Sequence, residues 1–206
     1  GYLVAIIISY IPLQKIKSFI LPFYILTLFS LILVCFFGIS MFGAQRWLSL
    51  GFITFQPSEV AKLSTLLALA YVFERSRFNS FKDLIFPFFV ALVPWILIFF
   101  QPDLGTSLVL IFLFLILLYW IQVPVEAIVI VLLCLITSIL SMISFQLVFV
   151  WIPLICFWAY KTFQKQKILV LLTLALHGLV AKLTPLFWDI GLKDYQKDRL
   201  ILFLEP

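Results

Sequence analysis

Long apolar runs separated by short polar ones set the pattern of this chain. Eight runs are candidate membrane spans. They cover Gly1 to about Ile11, then about Phe19–Phe37, Pro57–Phe73, Leu84–Phe100 and Leu104–Ile121. Three more follow, at about Val125–Ser141, Phe145–Tyr160 and Ile168–Phe187. The break between the sixth and seventh rests only on Met142, Ser144 and Gln146. Beyond Trp188 the pattern changes. Leu192, Tyr195, Leu200, Leu202 and Phe203 supply an apolar side, and Lys193, Asp194, Gln196, Lys197, Asp198 and Arg199 a polar one. That predicts an amphipathic helix lying in the membrane interface.

Composition agrees with this reading. The 206 residues are 65% hydrophobic and 11% charged, whereas soluble domains are about half apolar and a quarter charged. The expected fold class is all-α: a polytopic transmembrane bundle of about eight spans, forming one transmembrane domain over residues 1–206. The chain begins inside an apolar run and stops just after an amphipathic one, so the expectation is a part of a longer protein. The net charge of +5 reports topology and gives no sign of a nucleic-acid partner. Lys15, Lys17, Arg75, Arg77, Lys82, Lys161, Lys165 and Lys167 fall in alternate loops, which places those loops in the cytoplasm. The loop holding Arg46, the turn holding Asp103 and the C-terminal segment then share the outer face. Cys35, Cys134 and Cys156 lie mid-span without metal-type spacing. His177 reads as a packed residue.

Candidate chemistry is concentrated in GAQRWLSLGFITFQPSEVAK, residues 43–62. Gly43 and Gly51 bracket a short loop in which Arg46 and Trp47 alternate with apolar residues. Pro57 suits the first position of a helix, and Glu59 suits its first turn. Ser58, Lys62 and Thr65 form a polar stripe on that helix, and Glu59 is spaced to pair with Lys62. An unpaired ammonium inside a membrane helix costs on the order of 2.5–3.5 kcal/mol. The pair is therefore either a structural clamp or a substrate site. Gln101-Pro102-Asp103 echoes Gln56-Pro57-Ser58-Glu59. It holds Asp103 at the membrane edge near a helix N-terminus. Gln196 and Arg199 add polar groups from the C-terminal segment. Arg199 is suited to bidentate binding of phosphate.

GAQRWLSLG, FQPSEVAK, QPDLGTSLV and YQKDRLILFLEP resemble, in order, four motifs of the SEDS family (shape, elongation, division and sporulation) of peptidoglycan polymerases. Gln45 and Leu104 look more like the RodA branch, of cell elongation, than the FtsW branch, of cell division. The resemblance implies a multi-pass protein of the bacterial inner membrane, with its active face extracytoplasmic. It implies a glycosyltransferase that polymerises lipid II. The 4-hydroxyl of an incoming lipid II attacks the anomeric carbon that carries the leaving lipid diphosphate. By similarity Arg46, Glu59, Lys62, Asp103, Gln196 and Arg199 are substrate-binding candidates. A divalent cation shared by Glu59 and Asp103 is implied as possible, with no organic cofactor. The implied partners are a class B penicillin-binding protein transpeptidase and other elongation proteins. The family's proposed catalytic aspartate lies in a motif beyond Pro206, so no catalytic residue is assigned here. The competing readings are a flippase or transporter of a lipid-linked precursor, and a membrane scaffold. Polar residues thin out toward the cytoplasmic span ends, which favours the enzyme over transport.

Overall fold

A computed structural model describes residues 2, 6, 10–41, 44–49, 51, 54–75, 80–101, 103–163, 167–191 and 197. Contacts group the chain into two units, Gly1–Ile121 and Gln122–Pro206.

The first unit contains α1 (Leu13–Phe37), β1 (Ile39–Met41), β2 (Ala44–Ser49), β3 (Thr54–Phe55), α2 (Pro57–Arg75), α3 (Ile85–Phe100) and α4 (Leu104–Trp120). A 3-10 turn, Phe81–Leu84, leads into α3. Pro12 precedes α1 in extended conformation, and the Gly38 N–H closes it on the Val34 carbonyl at 2.9 Å. Pro57 is the first residue of α2, where a missing N–H costs no helical hydrogen bond. Helix α2 packs against α1, α3 and α4. It brings small residues into the core: Ala61 meets Leu31, Ile98 and Leu110. Toward the other end Ala68 meets Ile20 and Tyr24, and the Tyr24 hydroxyl donates to the Val90 carbonyl at 2.8 Å.

The second unit contains α5 (Val125–Ile143), α6 (Phe145–Thr162) and α7 (Lys167–Leu186), then one π turn, Phe187–Gly191. Each of the three helices packs on the other two. Only Ser144 separates α5 from α6, so the weakest break in the sequence pattern is a real one.

Seven of the eight expected spans therefore correspond to described helices. The first, Gly1 to Ile11, lies mostly outside the described residues. Among the described helices, α1, α3 with its leading turn, α5, α6 and α7 with the π turn are long and apolar enough to cross a membrane, and α4 is a shorter apolar helix. Helix α2 is not among them. It carries Glu59, Lys62, Glu74 and Arg75, and buries Ser58, Ser64 and Thr65. Three surrounding helices cover much of its surface, so it does not need the apolar girdle that lipid demands. Outward faces elsewhere carry large apolar side chains such as Phe29, Phe36, Ile116, Phe149 and Leu171. Water would disfavour that surface and lipid favours it.

One feature departs from an all-helical reading. The loop between α1 and α2 is a three-stranded antiparallel sheet in the order β1-β2-β3. Ile39 pairs with Trp47, and Leu48 with Phe55. The run around Arg46, AQRWLS, lacks the strict alternation that marks a strand in sequence. Gly51, at φ +81°, takes the left-handed conformation that the turn from β2 toward β3 requires.

Candidate functional site

The β2 strand, the start of α2 and the start of α4 meet at one carboxylate. Asp103 is the N-cap of α4 and is 4% exposed. Its Oδ1 accepts from the Thr106 backbone N–H at 3.3 Å and from Arg46 Nη1 at 3.3 Å. Its Oδ2 accepts from Thr106 Oγ1 at 3.0 Å, Ser58 Oγ at 3.1 Å and Gln56 Nε2 at 3.4 Å. Gln56 Nε2 also reaches Ser58 Oγ at 3.0 Å. The N-terminus of α4 adds its own positive potential. Five donors and a helix end compensate the charge, which makes burial of the carboxylate tolerable. The two Gln-Pro segments that echo each other in sequence thus converge, through Ser58 and Asp103.

Glu59 and Lys62 form the expected pair. Lys62 Nζ lies 2.8 Å from both Glu59 oxygens. This pair is not enclosed: the side chains are 56% and 29% exposed for Glu59 and Lys62. It sits on the rim of α2, while its neighbour Ser58 points into the Asp103 cluster. Arg46, at 19% side-chain exposure, lies between these extremes. Gln196 and Arg199 fall outside the described residues. Lys197, between them, donates to the Asp189 carbonyl at 3.4 Å within the second unit.

Among the described residues no group of three or more His, Cys, Asp and Glu is arranged to hold a metal ion. The two carboxylates do not fit a shared divalent cation. Both oxygens of Asp103 accept from N–H and O–H donors, and both oxygens of Glu59 accept from Lys62.

Sequence reasoning undervalued Gln56 and Thr106 as partners of Asp103. The spacing Asp103-x-x-Thr106 is an N-cap signature and was readable. The bond from Gln101 Nε2 to the Leu31 carbonyl, 2.9 Å, links α1 to the α3–α4 turn and has no local signal.

The second unit buries a neutral cluster. His177 is fully buried, with Nδ1 2.7 Å from Thr137 Oγ1. Trp151 Nε1 donates to the same hydroxyl at 3.1 Å. Thr184 donates to Ser138 at 3.3 Å. His177 is thus the packed residue expected, with a polar partner on α5.

Long apolar helices with lipid-compatible outer faces define a polytopic α-helical membrane protein. The FtsW/RodA/SpoVE family, described as cell cycle proteins, matches residues 1–173. The chain belongs to that family, the SEDS proteins. It is 30% identical over 178 residues to the peptidoglycan glycosyltransferase MrdB of Escherichia coli (strain K12), covering 84% of this chain and 43% of MrdB. The crystal structure of the rod shape determining protein RodA of Thermus thermophilus matches with a TM-score of 0.55 at 30% identity. That match covers 63% of this chain and 43% of RodA. A chain from a peptidoglycan synthase complex, described as coordinating polymerization and crosslinking, matches all of this chain and 48% of its own length. Its TM-score is 0.56 at 25% identity. The chain spans less than half the length of these relatives. It is a multi-pass protein of the inner membrane.

Proposed function

We propose that this chain is part of a peptidoglycan glycosyltransferase of the RodA type, polymerising lipid II in cell-wall elongation. The observation that carries the reading is the polar end of the first unit, on a SEDS chain related to MrdB. A buried, saturated Asp103 fixes Arg46, and Lys62 stands partly exposed on the α2 rim. In this reading Asp103 is a positioning residue. It holds β2 and the starts of α2 and α4 together and aims Arg46. Lys62 and Arg46 are the groups that meet diphosphate charge, which grows on the leaving group as the glycosidic bond breaks. Glu59 holds the Lys62 ammonium in place until substrate arrives. Gln196 and Arg199, outside the described residues, remain substrate-binding candidates by family resemblance. A divalent cation is read as a companion of the substrate diphosphate and not as a resident of Glu59 and Asp103. The relative found in a peptidoglycan synthase complex supports a transpeptidase partner of the class B penicillin-binding kind.

The polar end is read as extracytoplasmic from the basic residues in the opposite loops. In a cysteine-free version, Ser49→Cys should react with an impermeant maleimide on intact spheroplasts. Protection until lysis would reverse the orientation. The activity is tested with the purified full-length protein and labelled lipid II. Glycan polymer above a mock preparation supports the enzyme. Lipid II crossing a vesicle bilayer with no polymer formed supports a flippase instead.

A further inference from the structure

At the other end of the first unit α1, α2 and α3 part around a cavity of about 670 Å³. Its walls are apolar: Ile20, Leu28, Ala68, Val90 and Val93 line it, and the phenol of Tyr24 is tied off on the Val90 carbonyl. From Ile20 to Leu28 the lining runs eight residues along α1, a slot about 12 Å deep. The mouth is different. Arg75, in the last turn of α2, lies with its guanidinium carbon 4.3 Å from the centroid of the Tyr71 ring, and both residues line the cavity. Stacking on an aromatic face holds the cation at the rim without neutralising it. Asp83 also borders the mouth, but its Oδ2 accepts from the Ser80 N–H at 2.9 Å in the capping box that starts the 3-10 turn. Lys82 is exposed beside it. Lys17 and Glu74, nearby in sequence, are paired with each other.

A deep apolar slot between membrane helices with a fixed cation at its entrance has the chemistry of a lipid site. An apolar cavity of this size does not hold water well. Free phosphate would leave the slot empty. An acyl chain fills the slot, and the phosphate of its headgroup meets Arg75. Basic pockets between transmembrane helices at the positively flanked face are suited to such headgroups. We propose that this cavity binds an anionic glycerophospholipid of the leaflet that borders Arg75, with one acyl chain lying along α1. The site is independent of Arg46, Lys62 and Asp103, and it does not rest on the polymerase reading.

The test uses the full-length protein in nanodiscs of equal phosphatidylglycerol and phosphatidylcholine with matched chains, released into native mass spectrometry. One cation at the surface gives about a fivefold enrichment of phosphatidylglycerol among retained lipids. Arg75→Gln should level the two lipids while a lipid is still retained. Val93→Trp should lower retention of both, since Val93 lies at the open, lipid-facing side of the slot and the added ring has room to enter without repacking the core. Equal retention by the unaltered protein overturns the proposal, as does enrichment that survives both substitutions. Absence of any retained lipid also overturns it, since the remainder of the protein would then cover the slot. Preferential retention of added polyprenyl phosphate over phosphatidylglycerol overturns the phospholipid assignment.

Discussion

Asp103 and His177 are both buried titratable groups on apolar helices, 4% and 0% exposed, and their surroundings are built in opposite ways. Asp103 sits at a helix start. Free N–H groups, a cap geometry and a chain that has just turned bring five donors to it. His177 sits in mid-helix, where backbone groups are already spent. Its Nδ1 meets the Thr137 hydroxyl on a facing helix instead, and the Trp151 indole N–H donates to that same hydroxyl. The comparison teaches where a membrane bundle tolerates charge. A formal charge is held where a helix end supplies donors, whereas the mid-span His177 rests on uncharged side chains, the Thr137 hydroxyl and the Cys134 thiol. The first arrangement resists removal of its centre. The second gives way by degrees.

The largest effect is expected at Asp103. Asp103→Ala leaves Arg46 without its carboxylate and uncaps α4, and breaking a buried pair in this way costs about 3–5 kcal/mol. Asp103→Asn keeps an acceptor for the cap and should cost clearly less. Thermal melting in detergent measures both. An alanine variant that melts with the unaltered protein would mean that the cluster does not hold β2, α2 and α4 together.

Thr137→Val comes next. It strips the shared partner from His177 and Trp151, and an unsatisfied buried group costs about 1–3 kcal/mol. Hydrogen bonds between membrane helices average about 0.6 kcal/mol, so the low end is expected. Thr137→Ser should recover most of the loss. A serine variant as unstable as valine would mean that keeping the hydroxyl is not enough to hold His177 and Trp151.

The smallest stability effect is expected from Glu59→Gln combined with Lys62→Met. Pairs this exposed contribute about 1 kcal/mol or less, so melting should hardly move. A loss of several kcal/mol would make the pair a structural clamp and erase the contrast with Asp103.

The order of helices was legible because lipid imposes one simple rule: five described helices meet it in length and apolarity, α4 is a shorter apolar helix, and α2 departs from it through its charges. Pro57 and Glu59 marked the start of α2, and Asp103 the start of α4, through capping chemistry that is local in sequence. The Glu59–Lys62 pair was legible from spacing alone, but not its exposure, which depends on how far the neighbouring helices rise past it. The sheet around Arg46 was passed over because its strands are two to six residues long. Strands so short, without strict alternation, look like a loop. Contacts between residues far apart in sequence, Arg46 with Asp103 and Gln101 with Leu31, have no local signature. They follow only from how four helices pack.

The central claim is that Lys62 serves substrate and Asp103 serves structure. Lipid II polymerisation by the full-length protein carrying Lys62→Met tests it most directly, with the Glu59→Gln, Lys62→Met double variant and melting curves alongside. The account predicts folded single and double variants, both slowed about 10²–10³-fold, the range for loss of one charge-stabilising group. Full activity in the single variant, or recovery in the double, would contradict it and leave Lys62 as an ordinary ion-pair partner on the rim of α2.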